Sequence, residues 1–184
     1  MARLANFIAF ELGWLACVVG AAHGFAALGA CAVLAIAAVH LAFARRPRAE
    51  LALLLCAAAI GAVFDSLLAA TGWVRYANGV LIAGTAPYWI VALWMLFATT
   101  LNVSLGWLKQ RLAWAALFGA IGGPLSFLGG AKLGALSFGN ETAAMIALAL
   151  GWAALTPLLL RLAVRFDGYS PRPVAAFRMR TRHA

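Results

Sequence analysis

The run LALLLCAAAIGAVFDSLLAAT, residues 51–71, holds one ionisable residue, Asp65, among positions that otherwise suit hydrocarbon. Roughly 20 apolar helical residues cross the hydrocarbon core of a bilayer, and this run has that length. On either side the chain keeps the same character, with 66% hydrophobic and only 10% charged residues and a mean hydropathy of +0.97. A soluble chain of 184 residues has too little polar surface to cover so much apolar matter, so its solvent is lipid. Five more segments read the same way: 6–22, 25–44, 87–106, 112–128 and 142–164. Unbroken apolar runs favour helices, because the strands of a membrane barrel would alternate polar and apolar positions. The expectation is an all-α polytopic bundle of about six transmembrane helices over residues 1–166, followed by a basic tail, 167–184. Arg3 and the apolar stretch behind it resemble a secretory signal, but Glu11 interrupts that stretch and a second apolar run follows at once. The segment therefore reads as a retained first span.

Charge gives this bundle a direction. Of the 14 lysines and arginines, only Arg75 and Lys132 fall between spans on one side. Arg3, Arg45, Arg46, Arg48, Lys109, Arg111, Arg161, Arg165 and the four tail arginines fall on the other. The positive-inside rule places that side, and both termini, in the cytoplasm. The tail arginines suit anionic lipid, each being worth about 1 kcal/mol near such a surface. A nucleic-acid partner would need a basic face on a soluble fold, and the basic residues here are short clusters between apolar runs.

Among the tryptophans, Trp73 and Trp89 sit at the expected outer boundary and Trp107 and Trp114 at the inner one, as interfacial anchors do. Trp14, Trp94 and Trp152 lie deeper and fill the bundle. Gly119, Gly123, Ser126 and Gly130 form a small-residue stripe that lets helix backbones approach. Pro124 removes a backbone donor within that stripe. The segment GPLSFLGGAKLGALSFG is thus either a bent helix end or a re-entrant loop.

Polar groups inside the membrane fall into two layers. The outer one holds Asp65 and Ser126, with Arg75, Tyr88 and Lys132 at the boundary. The inner one holds Glu11, His40 and Asn102. A carboxylate in lipid must face protein or water. Asp65 is expected to face the bundle interior near the GGPLSFLGGAKLG stretch, paired with Arg75 or Lys132 or else protonated and hydrogen-bonded. It serves there either as a helix clamp or as a ligand or proton site. The histidines His23, His40 and His183 stand in three separate places, so no metal site can be built on them. The three cysteines lie in apolar runs without C-x-x-C spacing. No nucleophile elbow, H-E-x-x-H or phosphate-binding loop occurs, and no cofactor is implied.

Four stretches, NFIAFELGW, FDSLLAATG, PYWIVALWMLFATTLNVSLGWL and GAIGGPLSFLGGAKLGAL, occur in this order. Together they resemble a bacterial inner-membrane family of unknown function, number 2878. The resemblance covers nearly the whole chain apart from the arginine tail, and GGPLSFLGGAKLGA is its most specific part. It implies a polytopic membrane protein and transfers no activity. In that family a glutamine is more usual where Glu11 stands. Its members neighbour enzymes that modify membrane fatty acids, which implies a lipid-linked role with lipid-modifying enzymes as partners. The leading expectation is a non-catalytic accessory of membrane-lipid modification or envelope maintenance. A small-solute or proton-coupled transporter and an integral-membrane enzyme acting on lipid are the alternatives.

Overall fold

The structure, a computed structural model, describes residues 2–170. Six helices follow one another: α1 (Ala2–Ala22), α2 (Ala26–Phe43), α3 (Pro47–Ala70), α4 (Tyr88–Leu101), α5 (Leu112–Lys132) and α6 (Glu141–Arg165). Two short strands, β1 (Val74–Tyr76) and β2 (Leu136–Phe138), pair antiparallel with Arg75 opposite Ser137. They close one end of the bundle, called here the strand end. The arginine-rich turn between α2 and α3 marks the other, the basic end. Local chemistry sets several boundaries. Pro47 opens α3, where its fixed φ fits and its missing N–H is not needed. The Asn140 side chain caps α6 by accepting from the Ala143 amide. Gly72 and Gly134, at φ +71° and +88°, turn the chain from α3 and α5 into the two strands.

Five of the helices are long and apolar enough to cross a membrane, and the chain is a multi-pass membrane protein. Their outward faces carry large apolar side chains such as Leu28, Phe43, Leu67 and Leu150, while Glu50, Asp65 and three threonines are buried. That arrangement is stable only where the surroundings are apolar. The sixth helix, α4, has 14 residues, about 21 Å at the helical rise. It is shorter than the span expected over 87–106, and its position explains why. α4 is the central helix, packed against α1, α2, α3 and α6, so protein rather than lipid surrounds most of it. The chain then leaves helical geometry at Asn102 and passes through a 3-10 turn, Gly106–Gln110.

Both described ends of the chain lie at the basic end. Asn6 near the start of α1 donates to the Thr99 carbonyl and accepts from the Ser104 hydroxyl at 2.7 Å, both at the close of α4. Residues after α6 return to the α2–α3 turn. At the strand end the Asn78 amide donates to the Ala21 carbonyl at the close of α1.

α5 runs unbroken through Pro124 to Lys132, so residues 124–132 are helix and not a re-entrant loop, and the rest of the segment turns into β2. Gly119 and Gly123 lie against Trp152 of α6, and a Cβ at either would overlap that residue. Gly119 and Gly123 of the small-residue stripe therefore serve α5–α6 packing, while Ser126 meets Trp14 of α1. Trp89 departs from its expected place as an interfacial anchor. It is 1% exposed, its indole donates to the Asn78 carbonyl at 3.0 Å, and its ring meets Tyr76 edge-on. Trp107 and Trp114 remain exposed near the basic end.

Candidate functional site

The most completely bonded polar centre lies at the basic end around Glu50, in the first turn of α3. Its side chain is wholly buried. One carboxylate oxygen lies 3.0 Å from His40 Nε2; the other accepts from the Asn102 amide and from the Gly168 backbone N–H, the latter at 2.7 Å. A carboxylate only accepts, so His40 Nε2 carries the proton of that bond. On the far side of the imidazole, the Tyr169 hydroxyl lies 3.2 Å from Nδ1 and donates to the His40 carbonyl at 2.6 Å. Burial, and then the Glu50 charge, push the Tyr169 phenol up to about 12, so it remains a donor.

These contacts fasten residues 166–170, a strap beyond α6, across the α2–α3 turn. Lys109 of the 3-10 turn grips the strap through Asp167 at 2.8 Å, and Arg46 donates to the Asp167 carbonyl. Burial alone would raise the Asp167 carboxyl. Lys109 and the hydrogen bonds from Ser170 and Tyr169 outweigh it and hold the group down at about 2. It is ionised at any physiological pH, and this clamp weakens only as pH falls from the ordinary carboxylate range toward 2. Residues 167–170, counted with the tail on sequence, are thus fixed to the bundle. The rest of that tail lies outside the described residues.

Asp65 forms the second centre. It is wholly buried and both oxygens are occupied: Tyr76 of β1 donates its hydroxyl at 2.8 Å, and Trp94 of α4 its indole N–H at 2.6 Å. Gly61, one turn earlier on α3, makes this possible, because a Cβ there would overlap the Trp94 ring. Trp94 in turn stacks on Trp152 with centroids 4.5 Å apart. Burial, together with the Asp65 charge, pushes the Tyr76 phenol well above its usual range, so it stays protonated and donating. Neither Arg75 nor Lys132 pairs with Asp65. Among the described residues the ion pairs are His40–Glu50 and Lys109–Asp167, and both Arg75 and Lys132 point outward, exposed. Tyr88 is half-buried against the core; the tyrosine at Asp65 is Tyr76.

The third feature is a cavity of about 440 Å³ inside the bundle. α1 packs on α2 and α4, and α5 packs on α6, but α1 and α5 are not a closely packed pair. The space between them is backed by Leu93, Trp94 and Phe97 of α4 and by Trp152. Phe7, Phe118 and Leu125 line it too and are exposed, which puts its mouth on the lipid-facing surface between α1 and α5. Trp14 of α1 donates to Ser126 Oγ of α5 at 2.8 Å, the bond that bridges the two helices. Glu11 lines the cavity one turn from Trp14 on α1, and Asp65 contributes to its wall.

The structure therefore sorts the expected polar residues differently. His40 and Asn102 do come together, through Glu50 at the start of α3, a residue that falls between the spans expected on sequence. Glu11 is separate from them and shares a cavity with Asp65 and Ser126. Trp94 reads on sequence as a packing residue of an apolar run, and Tyr76, between two spans, gives no local sign that it reaches Asp65. Among the described residues no group of three metal-ligating side chains forms.

The family model described as protein of unknown function (DUF2878) matches residues 3–158, and the chain belongs to that family. No curated protein and no solved structure matches it.

Proposed function

We propose that this member of the family is a non-catalytic inner-membrane protein that holds a lipid-phase amphiphile in the cavity between α1 and α5, in support of membrane-lipid modification or envelope maintenance. The cavity carries this reading. Its volume of about 440 Å³ falls within the roughly 300–1,000 Å³ of ordinary ligand sites, and apolar walls with a few polar groups are their usual construction. A mouth between two helices admits a molecule already dissolved in the bilayer. The other polar centres support binding rather than turnover. His40, Glu50 and Tyr169 are covered by the strap they hold, and both oxygens of Asp65 are committed to fixed donors.

Gly122 supplies the test. It lines the cavity, and a Cβ there meets nothing within 4 Å. Gly122→Trp should fill the space without disturbing helix packing. Native mass spectrometry of the purified protein should show wild type retaining a single-chain lipid that the variant sheds, with thermal unfolding unchanged. Equal retention by a folded variant would contradict the proposal.

The basic end supports a cytoplasmic orientation and contact with anionic lipid. Arg46, Arg48 and Arg165 line a recess there, and cationic loops face the cytoplasm by the positive-inside rule. Reporter fusions after Arg48 and Ala184 should read as cytoplasmic, and a fusion after Asn78 as periplasmic. A periplasmic signal after Arg48 would reverse the orientation.

A further inference from the structure

Two carboxylates, Glu11 and Asp65, line the cavity, and no lysine, arginine or histidine does. Asp65 is capped on both oxygens by Tyr76 and Trp94. Glu11 has no such partner: among the described residues it accepts no side-chain hydrogen bond and forms neither of the two ion pairs. Nor can it reach water along the helix. It stands near the middle of α1, which runs Ala2–Ala22, about 14 Å from one end and about 17 Å from the other at the helical rise. A carboxylate held at that depth needs a counter-charge, a proton or water. The same cavity is lined by the rings of Phe7, Phe10, Trp14, Phe97, Phe118 and Trp152. Aromatic faces attract an organic cation within about 6 Å of the ring centre, most strongly where water is excluded. Glu11 is itself exposed, which puts it at the mouth of the cavity, and an uncommitted carboxylate at the mouth of an aromatic-lined cavity is the chemistry that recognises a quaternary ammonium or a similar bulky cation.

We infer that the cavity is selective for a lipophilic cation: an amphiphile whose positive head pairs with Glu11 among these rings and whose chain leaves between α1 and α5. The inference rests on the cavity being a ligand site and adds the charge of its ligand. Ser126 joins the two helices beside Glu11. Its oxygen is taken by Trp14 from one side, and that bond ties α5 to the turn of α1 that carries Glu11.

The probe pair is dodecyltrimethylammonium and its uncharged isostere, in which carbon replaces the quaternary nitrogen. Each is titrated calorimetrically into the full-length protein in nanodiscs of zwitterionic lipid, with empty discs as blank. Wild type should bind the cation about tenfold or more tighter than the isostere. Glu11→Gln keeps the side chain's shape on an exposed helix face, so the fold is preserved. It should lower cation affinity severalfold, toward that of the isostere, and leave isostere binding unchanged. If Glu11→Gln binds the cation as tightly as wild type, the charge selectivity is overturned, while the cavity stands provided Gly122→Trp abolishes isostere binding. If neither compound binds wild type above the blank, the cavity reading fails and the inference with it.

Discussion

Replacing Glu50 by alanine should cost the protein on the order of 3–5 kcal/mol of stability, the usual penalty for removing one partner of a buried ion pair. The side chain is wholly buried, and its loss strands three donors at once: His40 Nε2, the Asn102 amide and the Gly168 N–H. A cavity in an otherwise filled region adds to the loss. Glu50→Gln preserves volume and one acceptor oxygen but turns an N–H₂ toward the remaining donors, so its cost should be intermediate. Denaturant unfolding of the detergent-solubilised protein measures both. A second readout follows from the strap. With Gly168 and Tyr169 released, trypsin should cut after Arg165 much faster in Glu50→Ala than in wild type. Unchanged stability with a protected Arg165 would mean that Glu50 does not hold the strap.

Asp65→Leu should be nearly as damaging, at about 2–4 kcal/mol, because it leaves the Tyr76 hydroxyl and the Trp94 indole buried without an acceptor. Asp65→Asn retains one acceptor oxygen and should lose about half as much. Gly61→Ala tests the same joint from the other side. Its Cβ would overlap the Trp94 ring, so Trp94 must move off both Asp65 and Trp152, at about 1–3 kcal/mol for overpacking. Thermal unfolding with the three variants side by side separates these cases. If Asp65→Leu unfolds like wild type, Asp65 is not the clamp between α3, α4 and β1 that the geometry describes.

Hydropathy made the helices legible because each lipid-facing residue must be apolar, and that leaves a continuous signal. α4 gave the same signal for a different reason, being surrounded by protein, and so its length was overread. On sequence Glu11 groups with His40 and Asn102 in the inner layer, whereas in the structure it lines the cavity with Asp65. Starting the first span at Asn6 put Glu11 near the boundary, whereas α1 begins at Ala2, and those four residues move Glu11 to the middle of the helix. Glu50 was lost to the cluster RRPRAE, which reads as a solvated turn. A usable signal existed: His40 and Glu50 stand five residues either side of Arg45, and a tight antiparallel helix pair brings such positions together. No comparable rule would have found Tyr76 or Trp94. Tyr76 reaches Asp65 only because β1 pairs with β2, sixty residues further along the chain, and Trp94 only because Gly61 opens a place for its ring. Long-range pairing of this kind leaves no local pattern.

The proposed ligand site between α1 and α5 opens to the bilayer. It is tested most directly by reconstituting the protein in vesicles doped with a single-chain amphiphile bearing a terminal diazirine, irradiating, and mapping the adducts by peptide mass spectrometry. Adducts concentrated on cavity residues such as Phe10, Leu93, Phe97 and Gly122, and lost in Gly122→Trp, are the expected result. Labelling confined to outward-facing residues such as Leu28, Leu67 and Leu150, and unchanged by Gly122→Trp, would contradict it.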